Sequence, residues 1–100
     1  MTIAVSGDYG KPRPALIVQA DVFDEHPSIT VLPLTTELHA APLFRISVSP
    51  GGATGLRKAS QIMVDKLTTV PRGKIGPRIG RADGPTMQAV SHALASFLAL

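Results

Sequence analysis

Arg13 stands between two prolines, in Gly10-Lys11-Pro12-Arg13-Pro14, and no other residue of the sequence combines a charge with so constrained a backbone. Proline fixes its own φ and pushes the residue before it toward extended geometry. The guanidinium is therefore expected on a stiff, extended segment at the mouth of the apolar run Ala15-Leu16-Ile17-Val18-Gln19. A permanently charged, planar fork of N–H donors matches a phosphate. A second donor follows another β-prone run: Ile29-Thr30-Val31-Leu32-Pro33-Leu34 leads into Thr35-Thr36. Threonine offers a short hydroxyl on a side chain that is stiff at χ1. In phosphoryl transfer, charge builds on the non-bridging oxygens, and a preplaced arginine stabilises it. Attack by an RNA 2′-hydroxyl on the adjacent phosphate asks for such donors and for proton transfers, without need of a metal. Taken alone, Arg13 is equally a surface ion pair with Asp8, and Thr35-Thr36 is equally a strand-ending turn.

Other chemistries find less support. His26, His39 and His92 are scattered without ligand spacing, so no metal site is expected. No serine is flanked by the glycines of a nucleophile elbow. Gly51-Gly52-Ala53-Thr54-Gly55 lacks the lysine of a nucleotide phosphate loop. The sequence has no cysteine, which removes disulfides and thiolate metal sites and fits a reducing cytoplasm. Charge is uneven: residues 1–50 carry three cations against five anions, and residues 51–100 carry seven cations against two anions. A basic second half favours a polyanionic partner, or else is an ordinary solvated surface. The aromatics are Tyr9, Phe23, Phe44 and Phe97, too few for extensive base stacking. Any readout of RNA would then rest on hydrogen bonds to splayed bases.

The elements that must position these residues are short. At 100 residues and 44% apolar, the chain is expected to form one domain across residues 1–100. Its longest apolar stretch is interrupted by Gln88, Ser91, His92 and Ser96, so no membrane span is expected, and the N-terminal residues lack the basic and apolar regions of a signal peptide. Strands are predicted over Thr2–Val5, Ala15–Gln19, Ile29–Leu34, Leu43–Val48, Ser60–Val64 and Lys74–Ile79. Pro33 marks an edge or a bulge. The period then changes: Asp83-Gly84-Pro85 reads as a helix start, and Met87, Val90, Leu94, Phe97 and Leu98 form one helical stripe expected to face the core. The fold class is mainly β with a C-terminal helix, its short antiparallel strands curling into a small barrel or roll.

Gly10 to Gln19, followed by Val31-Leu32-Pro33-Leu34-Thr35-Thr36, resembles the opening blocks of the MazF/PemK toxins. Gly55-Leu56 with Ser60-Gln61-Ile62 resembles the third block, and Val70-Pro71-Arg72 with Ile79-Gly80 the closing part, so the likeness runs from about Ile3 to Phe97. The resemblance implies an SH3-like barrel, a homodimer, a cognate antitoxin and metal-independent cleavage of single-stranded RNA, mostly mRNA, to 2′,3′-cyclic phosphate and 5′-hydroxyl ends, with no cofactor. It implies catalytic roles for Arg13 and Thr35, with Asp8 an acidic residue that aids activity. Lys11, Thr36, Arg57, Lys58, Ser60 and Gln61 would contact RNA. The sequence departs from the family pattern at Pro12, where many members carry His or Gly, and in starting almost directly at the first strand. With no histidine beside Arg13, the general base is either Asp8 or solvent. The gyrase-poisoning CcdB toxins share the barrel, but they rely on a C-terminal tryptophan, and this sequence has none. A barrel that only binds nucleic acid or protein would leave the proline-framed arginine and the threonine pair unexplained.

Overall fold

The computed structural model describes residues 2–6, 13–23 and 25–100; Asp8 and Lys11 fall outside them. The strands are β1 (Thr2–Ser6), β2 (Arg13–Ile17), β3 (Ser28–Thr35), β4 (Arg45–Val48), β5 (Ser60–Met63), β6 (Thr68–Pro71) and β7 (Ile75–Arg81). One helix, α1 (Gly84–Phe97), closes the chain. All pairings are antiparallel, in the order β4-β5-β3-β2-β1-β7, with β6 beside β3.

β3 is the spine of the sheet. One edge pairs with β2 from Val31 to Pro33. The other edge pairs first with β6, through Val31↔Thr68, and then with β5, from Leu34↔Ile62. The Val18 N–H donates to the Thr30 carbonyl at 3.1 Å. Even-numbered residues of β3 therefore turn their backbone polar groups toward β2, and odd-numbered ones toward the other edge. Pro33 faces that other edge where it passes from β6 to β5 and has no ladder partner. A missing N–H costs nothing there, which is how a proline sits inside a strand paired on both edges.

The core forms because β2 and β3 are apolar on both faces. Leu16, Leu32 and Ile62 are fully buried in a cluster with Ile3, Leu34, Val48, Val64 and the helix residues Val90 and Ala93. Each large side chain so buried contributes about 1.5–3 kcal/mol. Ala15, Ile29 and Val31 form a smaller cluster, flanked by Ile17 and Ile75. The carboxylate of Asp83 caps α1 by accepting from the Thr86 N–H at 2.8 Å, and Pro85 sits in the first turn. Val90, Met87 and Leu94 face the core as the stripe predicts. Phe97 and Leu98 do not: they are 51% and 44% exposed, carried past the sheet by the last turn. Among the described residues, no helix is long and apolar enough to cross a membrane.

The sequence also leads to a barrel, whereas the sheet stays open between β4 and β7. The loop after β4 covers this seam. The Arg81 N–H donates to the Ala53 carbonyl at 2.8 Å. Gly55 has φ of +70° and lies against the Ile79 carbonyl, while Gly80 lies against the carbonyls of Thr54 and Ala53, so a Cβ at either position would meet backbone.

Candidate active site

Arg13 opens β2, its backbone paired with Ser6 of β1 and its side chain exposed. The β2–β3 register runs Ala15↔Pro33, Leu16↔Leu32 and Ile17↔Val31. Continued by two residues, it sets Arg13 opposite Thr35. Thr35 is odd-numbered, so its backbone groups turn to Gln61 of β5, its paired residue there. On that continued register the two residues share a non-hydrogen-bonded position, the kind at which facing residues come closest. Two elements far apart in sequence bring a guanidinium and a hydroxyl to one sheet end.

The Thr35 Oγ1 accepts from the Glu37 N–H at 3.1 Å. One of its two lone pairs is thereby used, and its own proton is left to donate outward. Thr36 follows, exposed, in the loop leading to β4. Gln61 pins that loop. Its Nε2 donates to the His39 carbonyl at 2.8 Å and its Oε1 accepts from the His39 N–H at 3.0 Å. An amide side chain that satisfies both backbone groups of one residue fixes the loop in place.

Ser60 and Gln61 are expected from the resemblance to line an RNA groove, but they are only 5% and 7% exposed. The Ser60 Oγ donates to the Lys58 carbonyl at 3.0 Å. Both polar side chains face inward, and what they hold is backbone: the Lys58 turn and the His39 loop. Arg57 and Lys58 are exposed beside them. His26 and His39 lie at the surface, as their polar surroundings predict; the His26 Nδ1 lies 3.1 Å from the Ser28 carbonyl. Among the described residues, no three His, Asp or Glu side chains gather as metal ligands.

The sequence profile of the PemK-like, MazF-like toxins of type II toxin–antitoxin systems matches residues 2–98. The chain belongs to this family. It is 48% identical over 100 aligned positions to a protein named probable endoribonuclease MazF from Mycolicibacterium smegmatis, spanning 99% of this chain and 92% of that one. Among solved structures, the Mycobacterium tuberculosis toxin MazF-mt6 superposes with a TM-score of 0.87 at 26% identity, covering 100% of this chain and 98% of that one. A mycobacterial endoribonuclease solved with its cognate antitoxin shares the fold, with a TM-score of 0.81 at 23% identity over 99% and 92% of the two chains.

The blocks that carry the MazF/PemK likeness acquire physical roles in the fold. The Pro-Arg-Pro and Pro-x-Thr-Thr blocks build the two sides of the Arg13–Thr35 site. The Gly55 and Ile79-Gly80 blocks are the close-packed seam. Ser60-Gln61-Ile62 supplies the loop clamp and a core residue. Val70-Pro71 lies in β6, a strand that the sequence reading passes over.

Proposed function

We propose that this toxin is a sequence-specific, metal-independent endoribonuclease that cuts single-stranded RNA, chiefly mRNA, as one domain across residues 1–100. The observation that carries the reading is the β2–β3 register, which, continued two residues past Ala15↔Pro33, sets Arg13 opposite Thr35. The 2′-oxygen of the RNA attacks the adjacent phosphorus, and the bond from phosphorus to the 5′-oxygen breaks. One proton leaves the 2′-hydroxyl and one arrives on the departing 5′-oxygen. The products end in a 2′,3′-cyclic phosphate and a 5′-hydroxyl, with no atom taken from water.

Arg13 spreads two N–H donors over the non-bridging oxygens, and Thr35 adds its free O–H. Both interactions strengthen as charge grows on those oxygens, which is where donors accelerate the step. Asp8 is the candidate for the first proton, with solvent as the alternative. Lys11, Thr36, Arg57 and Lys58 contact the strand; Ser60 and Gln61 act one step back, through the backbone that they hold.

The toxin works in the cytoplasm as a homodimer and is silenced by a cognate antitoxin. The solved relative with its antitoxin supports that partner. So does the surface: Leu38 and Leu43, 57% and 79% exposed, stand in the loop beyond Thr35 and suit a partly apolar, acidic antitoxin segment. The deciding assay is purified protein with RNA in excess chelator. Wild type is expected to cleave, leaving cyclic phosphate ends. Arg13→Ala and Thr35→Val are each expected to lose about 100-fold or more in rate. Cleavage by Arg13→Ala at the wild-type rate overturns the reading.

A further inference from the structure

A cavity of about 220 Å³ opens at the sheet seam; Val48 and Ala53 give it an apolar part, and Ser47, Ser49, Thr54, Arg81, Asp83 and Thr86 a polar one. Ser47 ties it to the active site. Ser47 pairs with Gln61, and Gln61 pairs with Thr35, so Ser47 lies two strand spacings, roughly 10 Å, from Thr35, on the far side of the loop that Gln61 grips. That distance is within one or two nucleotides of a phosphate held at Arg13.

Three of the groups facing the cavity have no partner among the described residues. The Arg81 guanidinium makes no ion pair or hydrogen bond among the described residues, although the Asp83 carboxylate lines the same space. The Ser47 and Ser49 hydroxyls likewise have no partner among the described residues. Thr54 is spent on the loop, where its Oγ1 lies 3.3 Å from the Gly51 carbonyl. The start of α1 is already capped by Asp83, so the cavity is not an anion site made by a helix end. Hydrogen bonds from the Thr86 side chain and N–H hold the Asp83 carboxyl below its ordinary pKa, and it is ionised at neutral pH.

A cation with no partner among the described residues, beside a carboxylate that is held by Thr86, fits a ligand that offers acceptors on one edge and donors on the next. Among the bases, guanine does so best: O6 and N7 accept a guanidinium fork, and N1–H and N2–H₂ donate to a carboxylate. We propose that this cavity is a guanine-selective subsite that receives a base of the RNA strand beside the scissile phosphate. The proposal rests on the ribonuclease reading, and it adds Arg81 and Asp83 as specificity-determining residues.

The test uses the full-length toxin and short 2′-deoxyuridine strands, which lack the attacking 2′-hydroxyl and cannot be cut. A single guanine is walked along the strand and affinity is measured at each placement. Wild type is expected to bind one placement about tenfold more tightly than the all-deoxyuridine strand. Arg81→Gln and Asp83→Asn are each expected to abolish that preference; asparagine still caps the helix, and circular dichroism confirms folding. No preferred placement, or a preference that both variants keep, overturns the subsite. A defect confined to antitoxin binding overturns it too. Cleavage of ordinary RNA by wild type is scored in parallel, so failure of the subsite and failure of the nuclease reading are told apart.

Discussion

In the proposed site, the Thr35 hydroxyl is positioned from behind by a buried residue. Its strand end leads directly into the loop that Gln61 grips by both backbone groups of His39. Gln61 is also the residue paired with Thr35 across β3 and β5, so one side chain sets both the position of the donor and the path of the loop after it. Gln61→Ala removes two hydrogen bonds and leaves a gap beneath the loop. The expected cost is about 1–3 kcal/mol in urea unfolding, together with faster amide exchange at His39. Because Gln61 acts through position, kcat is expected to fall more than KM rises. A variant with intact His39 protection and unchanged kcat would show that the loop needs no clamp. The inward turn of Gln61 and Ser60 is also the point at which residue types mislead. The family likeness sets them at an RNA groove, and only their bonding partners reveal that their polar atoms serve backbone inside the fold.

At the scale of elements, the seam between β4 and β7 is where the fold is least tolerant. Gly55 and Gly80 approach the opposing backbone so closely that a methyl group at either position requires the loop or β7 to move. Gly55 also needs a left-handed φ. Gly55→Val and Gly80→Val are each expected to destabilise the toxin by about 3 kcal/mol or more. Gly73→Ala, where a Cβ meets nothing within 4 Å, is expected to change little. Thermal melts of the three variants check this order. Most elements are legible in the sequence because their patterns are local: prolines announce β2, the Asp-Gly-Pro cap announces α1, and apolar runs announce β3 and β5. β6 is not legible. Thr68-Thr69-Val70-Pro71 has no apolar alternation, and its strand character comes from the edge of β3, where the Thr69 Oγ1 lies 3.0 Å from the Thr30 Oγ1. The Arg13–Thr35 pairing is half legible: each residue stands out, but their meeting follows from a register that no local pattern encodes. The open sheet is illegible for the same reason, since loop and strand backbones meet there through two glycines 25 positions apart.

For the whole molecule, the uneven charge becomes a statement about how RNA is held. The net charge is only +3, yet the excess comes entirely from the second half of the sequence. Arg57 and Lys58 precede β5, whose Gln61 pairs with Thr35, and Arg81 ends β7 at the seam. In the proposed reading these cations guide the strand between the Arg13 end of the sheet and the seam cavity. Contacts to backbone phosphates release counterions, so affinity falls with salt by about 0.7 in the log–log slope for each phosphate neutralised on a single strand. Replacing both Arg57 and Lys58 by Gln is expected to weaken binding of every sequence alike and to flatten the slope by about 1.4. Arg81→Gln is expected to act differently, because a guanidinium spent on a base edge discriminates among sequences more than it contributes to the salt slope. Titrating one uncleavable strand against salt for these variants separates the two roles. An unchanged slope in the double variant would place the RNA path elsewhere on the molecule, and the basic half would then serve the antitoxin.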